Sequence, residues 1–324
     1  MFVSVILFAV GLVLLIKGGD WFVDGAVGIA KRFNLPDIVV GATVVSIGTT
    51  LPEVMVSTTG ALAGSGAMAY GNAIGSIICN TALIAAISIV CNPGPVNVKS
   101  MKTPAIFFFC SAALYCLAAY GLGTFPRWMG FVMLAIFVAY TLLTVRNGMK
   151  NPDAGAEEEE EGGKPKKLWQ ELLLLVIGAA VIAVGADLLV DHGQIIAIEL
   201  GVPETVVALL FVALGTSLPE LVTTITSLKK GRASLGVGNV IGANVFNLVL
   251  VSGVAVSLAP FDVPVENTLL DTGLNLSLVF DIPVMLGVMS LMIFPALLGK
   301  KLSRWQGIAL LCIYAAFCVC QFML

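Results

Sequence analysis

Gly48-Thr49-Thr50-Leu51-Pro52-Glu53 and, 167 residues further on, Gly215-Thr216-Ser217-Leu218-Pro219-Glu220 decide how this chain folds. Each hexapeptide sets a proline and an acid inside an apolar run long enough to cross a bilayer. The same shift aligns Gly18–Ile84 with Gly185–Val251 without a gap, giving 23 identities in 67 positions. GNAIGSIICN (Gly71–Asn80) falls on GNVIGANVFN (Gly238–Asn247), and Arg127-Trp128 and Arg304-Trp305 each open the last apolar run of their half. The chain is therefore an internal duplication.

Working outward, apolar runs predict ten spans, roughly 2–24, 38–62, 69–91, 104–122, 128–146, 170–190, 205–228, 236–258, 281–299 and 305–323. The 324 residues are 58% hydrophobic and only 11% charged, with a mean hydropathy of +1.01. A soluble domain of this size needs more charge to cover its surface. The first run lacks the basic start and small-residue cleavage site of a secretory signal and reads as a retained span. The expected fold is an all-α polytopic membrane protein of ten transmembrane helices, arranged as two inverted five-helix repeats. The expected units are residues 1–146 and 168–324, joined by an acidic linker, 147–167, whose Gly, Pro, Glu and Lys content cannot bury apolar area. Five spans per half is an odd number, so the second half enters the membrane from the opposite side. Similar sequence with opposite topology marks inverted-repeat transporters, whose substrate sits near the midplane where the repeats meet.

Basic residues fix the expected orientation. Alternate connections, with Lys17, hold sixteen of the 17 Lys and Arg residues, and the others hold only Arg127. By the positive-inside rule the linker is cytoplasmic and both termini face outward, in a multi-pass protein of the plasma membrane.

Glu53 and Glu220 lie deep in the second span of their halves. An acid at the bilayer centre costs about 2.5–3.5 kcal/mol even on a lenient scale, and apart from Lys17, near the inner end of the first, no Lys or Arg lies in the interior of any predicted span to offset it. Two uncompensated carboxylates imply a cation between them. Pro52 and Pro219 remove a backbone N–H and clash with the carbonyls of Gly48 and Gly215, which predicts a broken helix. Irregular backbone at that depth is tolerated only when protein-buried or lining a watery cavity. The freed carbonyls, with the hydroxyls of Thr49, Thr50, Thr216 and Ser217, offer hard oxygen ligands. The third spans supply Asn72, Ser76 and Asn80 at steps of four on one helical face, matched by Asn239, Ala243 and Asn247; Asn244 lies beside them. Oxygen donors suit Ca²⁺, and the lack of thiolate or imidazole ligands disfavours zinc and copper. Two carboxylates balance one Ca²⁺ or two Na⁺, so these ions can compete for one site.

The paired GTTLPE and GTSLPE motifs, each followed by a GNxIG segment, closely resemble the two alpha-repeats of the cation/calcium antiporter superfamily, in its prokaryotic sodium/calcium exchanger branch. The resemblance covers essentially the whole chain. It implies alternating-access antiport, Na⁺ entry driving Ca²⁺ out, with spans one and six sliding across the remainder. It implies Ca²⁺ held by Glu53 and Glu220 with the carbonyls of Thr49 and Thr216. Sodium would be shared by those glutamates with Thr50, Ser217, Ser76, Asn80 and the carbonyls of Ser46 and Ala213. Asn247 takes a ligand position where some members carry aspartate, and Ala243 stands where a serine hydroxyl is usual. Three Na⁺ per Ca²⁺ is the usual family stoichiometry.

The transported ions Ca²⁺ and Na⁺ and the surrounding lipid are thus the expected partners, with no resident cofactor and a monomer as the working unit. No basic-aromatic stripe supports nucleic-acid binding. His192, the only histidine, reads as an ordinary polar residue of an outer loop. With no GxGD pair and no HExxH, an intramembrane hydrolase lacks a plausible nucleophile and base. The seven cysteines form no CxxC pair and read as small apolar residues. Asp20, Asp24, Asp187 and Asp191 read as solvated helix-end carboxylates, and Glu157–Glu161 as bare linker. Residues 262–275 are extra relative to the first half. An H⁺/Ca²⁺ antiporter of the same fold and a cation channel are the alternatives.

Overall fold

A computed structural model describes residues 2–150, 167–200, 215–264 and 275–323. Its helices, in chain order, are α1 (Phe2–Arg32), α2 (Asp37–Thr49), α3 (Leu51–Leu62), α4 (Gly66–Cys91), α5 (Val98–Leu122), α6 (Arg127–Met149), α7 (Leu168–Glu199), α8 (Leu218–Lys229), α9 (Ala233–Leu258), α10 (Ser277–Gly299) and α11 (Arg304–Met323). Among the described residues, eight helices are long and apolar enough to cross a membrane, and α2 with α3 makes a ninth, bent span. The seventh predicted span, 205–228, is described only from Gly215 onward, and the linker only at its two ends, where α6 runs to Met149 and Lys167 caps α7. Residues 265–274, the core of the extra segment, also lie outside the described residues.

The repeat is visible in how helices stop. α3 and α8 both end before a left-handed glycine, Gly64 (φ 83°) and Gly231 (φ 69°), 167 residues apart. That conformation ends a helix at no steric cost only for glycine. Two short antiparallel ladders, which the all-helical expectation left out, tie the halves together. β1 (Gly94–Pro95) pairs with β4 (Lys301–Leu302), and β2 (Thr124–Phe125) pairs with β3 (Phe261–Asp262) at the other end of α5. Each ladder joins a loop of one half to a loop of the other. In extended loops the backbone groups need partners, and pairing supplies them.

Two hydrophobic cores are separate. The larger is built by α4, α5, α6, α9, α10 and α11 around Phe108, Tyr115, Tyr140 and Phe246. The smaller lies between α1, α2 and α7 around Leu15, Phe22, Val23 and Ile182. α1 and α7 pack along their lengths at glycine contacts. A Cβ on Gly11 would sit 2.9 Å from the Gly185 carbonyl oxygen, and one on Gly185 would sit 2.9 Å from that of Gly11. In lipid, where burial of apolar surface offers no drive between helices, such close backbone approach is what holds a pair together.

Three expectations are corrected. α1 runs to Arg32 rather than ending at residue 24, and its 31 residues reach about 47 Å at 1.5 Å each, longer than the hydrocarbon layer. Asp20 and Asp24 therefore lie inside a helix. Their side chains remain solvent-exposed, at 43% and 47%, while Lys230 Nζ reaches Asp24 Oδ1 at 2.7 Å and donates to the Asp20 carbonyl at 3.0 Å. His192 likewise sits within α7, not in a loop.

Candidate ion-binding site

The break in the second span falls where proline and glycine place it. α2 and α3 meet at Thr50 and bend by 45°. Pro52 takes the second position of α3, where its missing N–H costs nothing, and brings no hydrogen to the carbonyl of Gly48. α8 opens in the same way, on Leu218-Pro219-Glu220. Both glutamates consequently stand in the first turn of a helix, at its positive end, which favours an anionic side chain.

A second irregularity gave no signal in the sequence. Residues Gly41–Val45 of α2, Asn80–Ala85 of α4 and Asn247–Val251 of α9 are π-helical turns. Such turns leave backbone groups out of the α pattern and cluster at functional sites. Here side chains take up some of those groups: Tyr140 donates to the Ala42 carbonyl at 2.9 Å and Ser252 to that of Asn247 at 2.9 Å. The last two turns begin on the equivalent asparagines of the two halves.

Glu53 and Glu220 are both 0% exposed. Among the described residues, no ion pair reaches either one, and no group of three His, Cys, Asp or Glu side chains gathers. Both oxygens of Glu53 and Oε2 of Glu220 have no hydrogen-bond partner among the described residues. Oε1 of Glu220 accepts from the Thr50 hydroxyl at 3.5 Å. The side-chain atoms of Asn80 and Asn247 and the hydroxyl of Ser217 are buried and unpartnered too. An unpaired buried polar group costs about 1–3 kcal/mol, and more when charged. The arrangement thus collects oxygen acceptors whose needs the protein does not meet.

Other predicted residues are engaged elsewhere. Thr49 donates to Asn239 Oδ1 at 3.1 Å, and Thr216 to Asn72 Oδ1 at 3.4 Å. The Ser46 hydroxyl bonds the carbonyls of Gly41 and Asn239 at 2.8 and 2.9 Å. Ser76 donates to Asn72 at 3.5 Å. The Ser46 carbonyl accepts from the Thr50 N–H at 3.0 Å. Ala213 lies outside the described residues. Asn244 turns away to Thr81 Oγ1 at 2.7 Å.

A multi-pass membrane fold with one bent span, and with two buried carboxylates that no described Lys or Arg reaches, is that of an ion transporter. The chain belongs to the sodium/calcium exchanger protein family, whose sequence model matches residues 3–146 and again 171–323. It is similar to sodium/calcium exchanger MaX1 of Methanosarcina acetivorans, 29% identical over 99% of both chains. It is also similar to an uncharacterized membrane protein of Methanocaldococcus jannaschii, 34% identical over 95% of this chain and 94% of the other. Among solved structures, the sodium-calcium exchanger NCX_Mj soaked with zero Na⁺ and Ca²⁺ superposes with a TM-score of 0.78, at 31% identity and 97% coverage of both chains.

Proposed function

We propose that this chain exchanges Na⁺ for Ca²⁺ across the membrane by alternating access, at one centre shared by both halves. The observation that carries this reading is the buried Glu53 carboxylate, with neither oxygen partnered, beside a half-partnered Glu220 and out of reach of any described Lys or Arg side chain. Transferring such charge from water without compensation is prohibitive, so a cation has to accompany it. One Ca²⁺ or two Na⁺ restores neutrality, and each ion excludes the other.

In this reading Glu53 and Glu220 hold Ca²⁺ together with the carbonyls of Thr49 and Thr216. Sodium draws on the same carboxylates with Thr50, Ser217, Ser76, Asn80, Asn247 and the carbonyls of Ser46 and Ala213. Oxygen donors on the bent α2–α3 span and on π turns give the flexible geometry that calcium accepts and magnesium does not. Because α1 and α7 pack backbone to backbone at Gly11 and Gly185, the pair is placed to shift as one body over the centre. The units are 1–146, 147–167 and 168–324, the linker is cytoplasmic, both termini face outward at the plasma membrane, and a monomer is the working unit in its lipid.

Radioactive calcium uptake into proteoliposomes of the purified protein tests this. An imposed sodium gradient should drive uptake, whereas a pH jump without sodium should drive none. Uptake that follows the pH jump and ignores sodium would replace this reading with proton-coupled exchange.

A further inference from the structure

Each half sets one asparagine at the same point of its third span, Asn72 on α4 and Asn239 on α9. Their carboxamide oxygens do the same work across the repeat boundary, accepting from Thr216 at 3.4 Å and Thr49 at 3.1 Å. Their amide nitrogens differ. Asn72 Nδ2 donates to Ser57 Oγ at 2.9 Å and to the Glu53 carbonyl at 3.3 Å. It thereby ties α4 to the glutamate-bearing helix of its own half. Asn239 Nδ2 has no partner among the described residues although the residue is 0% exposed. Thr224, which the 167-residue shift places where Ser57 stands, also keeps an unpartnered, buried hydroxyl.

The two halves are related by a pseudo-two-fold, so exchanging their local conformations yields a second arrangement of the same chain, open to the opposite side. In that arrangement Asn239 would bond Thr224 and the Glu220 carbonyl, and Asn72 would let go. Resting on the antiport reading above, we propose that Asn72 and Asn239 are positioning residues that clasp alternately. Each one aligns its own half's glutamate helix with the other half's threonine in one access state only. The Ser57 and Thr224 hydroxyls are the catches.

The affinity at each face is diluted by the fraction of molecules open to it. The ratio of the two apparent KM values for Ca²⁺, measured in right-side-out and inside-out membrane vesicles, therefore reads the balance of states. Ser57→Ala removes a bond of one state, and Thr224→Ala a bond of the other. The two variants should move the ratio in opposite directions, each by about threefold or more, the size of one neutral hydrogen bond. Ser57→Thr and Thr224→Ser, which keep a hydroxyl, should restore the wild-type ratio. A merely structural role would lower the maximal rate at both faces and leave the ratio alone. Both variants moving the ratio the same way, or neither moving it while wild-type exchange is intact, overturns the alternating clasp. Absence of sodium-driven uptake by the wild type in the same vesicles overturns instead the antiport reading, and the clasp with it.

Discussion

The hydroxyl of Thr50, at the break in the second span, lies 3.5 Å from Oε1 of Glu220 in the opposite half. Its repeat equivalent is not formed: Ser217 Oγ and both oxygens of Glu53 are unpartnered. The centre is therefore asymmetric although the sequences that build it are nearly the same. One carboxylate is held from across the repeat boundary and the other is free to follow an ion.

Ala243 occupies, fully buried, the place that the repeat assigns to Ser76. Ala243→Ser adds one hydroxyl oxygen at that place. The sodium concentration that half-activates calcium efflux should fall, by about two- to tenfold for one added polar contact. An unchanged sodium dependence would mean that this face of α9 does not meet sodium.

Asn247 is neutral and unpartnered at the start of its π turn. Asn247→Asp supplies a third carboxyl to the centre. Below its titration range the new group is neutral like the amide it replaces, and above that range it adds a negative charge. The variant should therefore match the wild type in acid and bind cations more tightly as pH rises. Calcium KM measured across a pH series checks this, and parallel profiles at all pH values would place Asn247 away from the ions.

The pairing of α1 with α7 depends on glycines that leave no room for a side chain. Gly185→Leu should force the two helices apart at Gly11 and Leu15. Overpacking of this kind costs roughly 1–3 kcal/mol, visible as a lower melting temperature in detergent. Gly185→Ala should fall between that variant and the wild type. A melting temperature unmoved by leucine would show that the contact is looser than the structure has it.

How much of this was legible in the sequence differs from residue to residue. Pro52 and Gly48 announced the break that appears at Thr50, because proline chemistry acts locally. Asp20 and Asp24 misled, since charges usually close a span; Lys230, more than 200 positions away, donates to both within α1. The π turn of α2 carries no local signature, for its Ala42 carbonyl is satisfied by Tyr140, nearly a hundred positions away. The four short strands are two residues each, too short for any alternation pattern. Asn72 was legible on one face with Ser76 and Asn80, and Asn239 on the matching face with Ala243 and Asn247, but their cross-repeat contacts to Thr216 and Thr49 emerge only when the halves are interlocked.

Sodium-gradient-driven calcium flux through Glu53→Gln and Glu220→Gln, compared with the wild type at equal folded amounts, weighs the whole account. Each variant keeps the size of the side chain and halves the negative charge available to the ion. Both should lose calcium flux, by more than about a hundredfold given that each 1.4 kcal/mol is a factor of ten, while eluting as the same monodisperse species. Exchange at the wild-type rate by either variant would contradict the assignment of these two carboxylates as the seat of the transported ion.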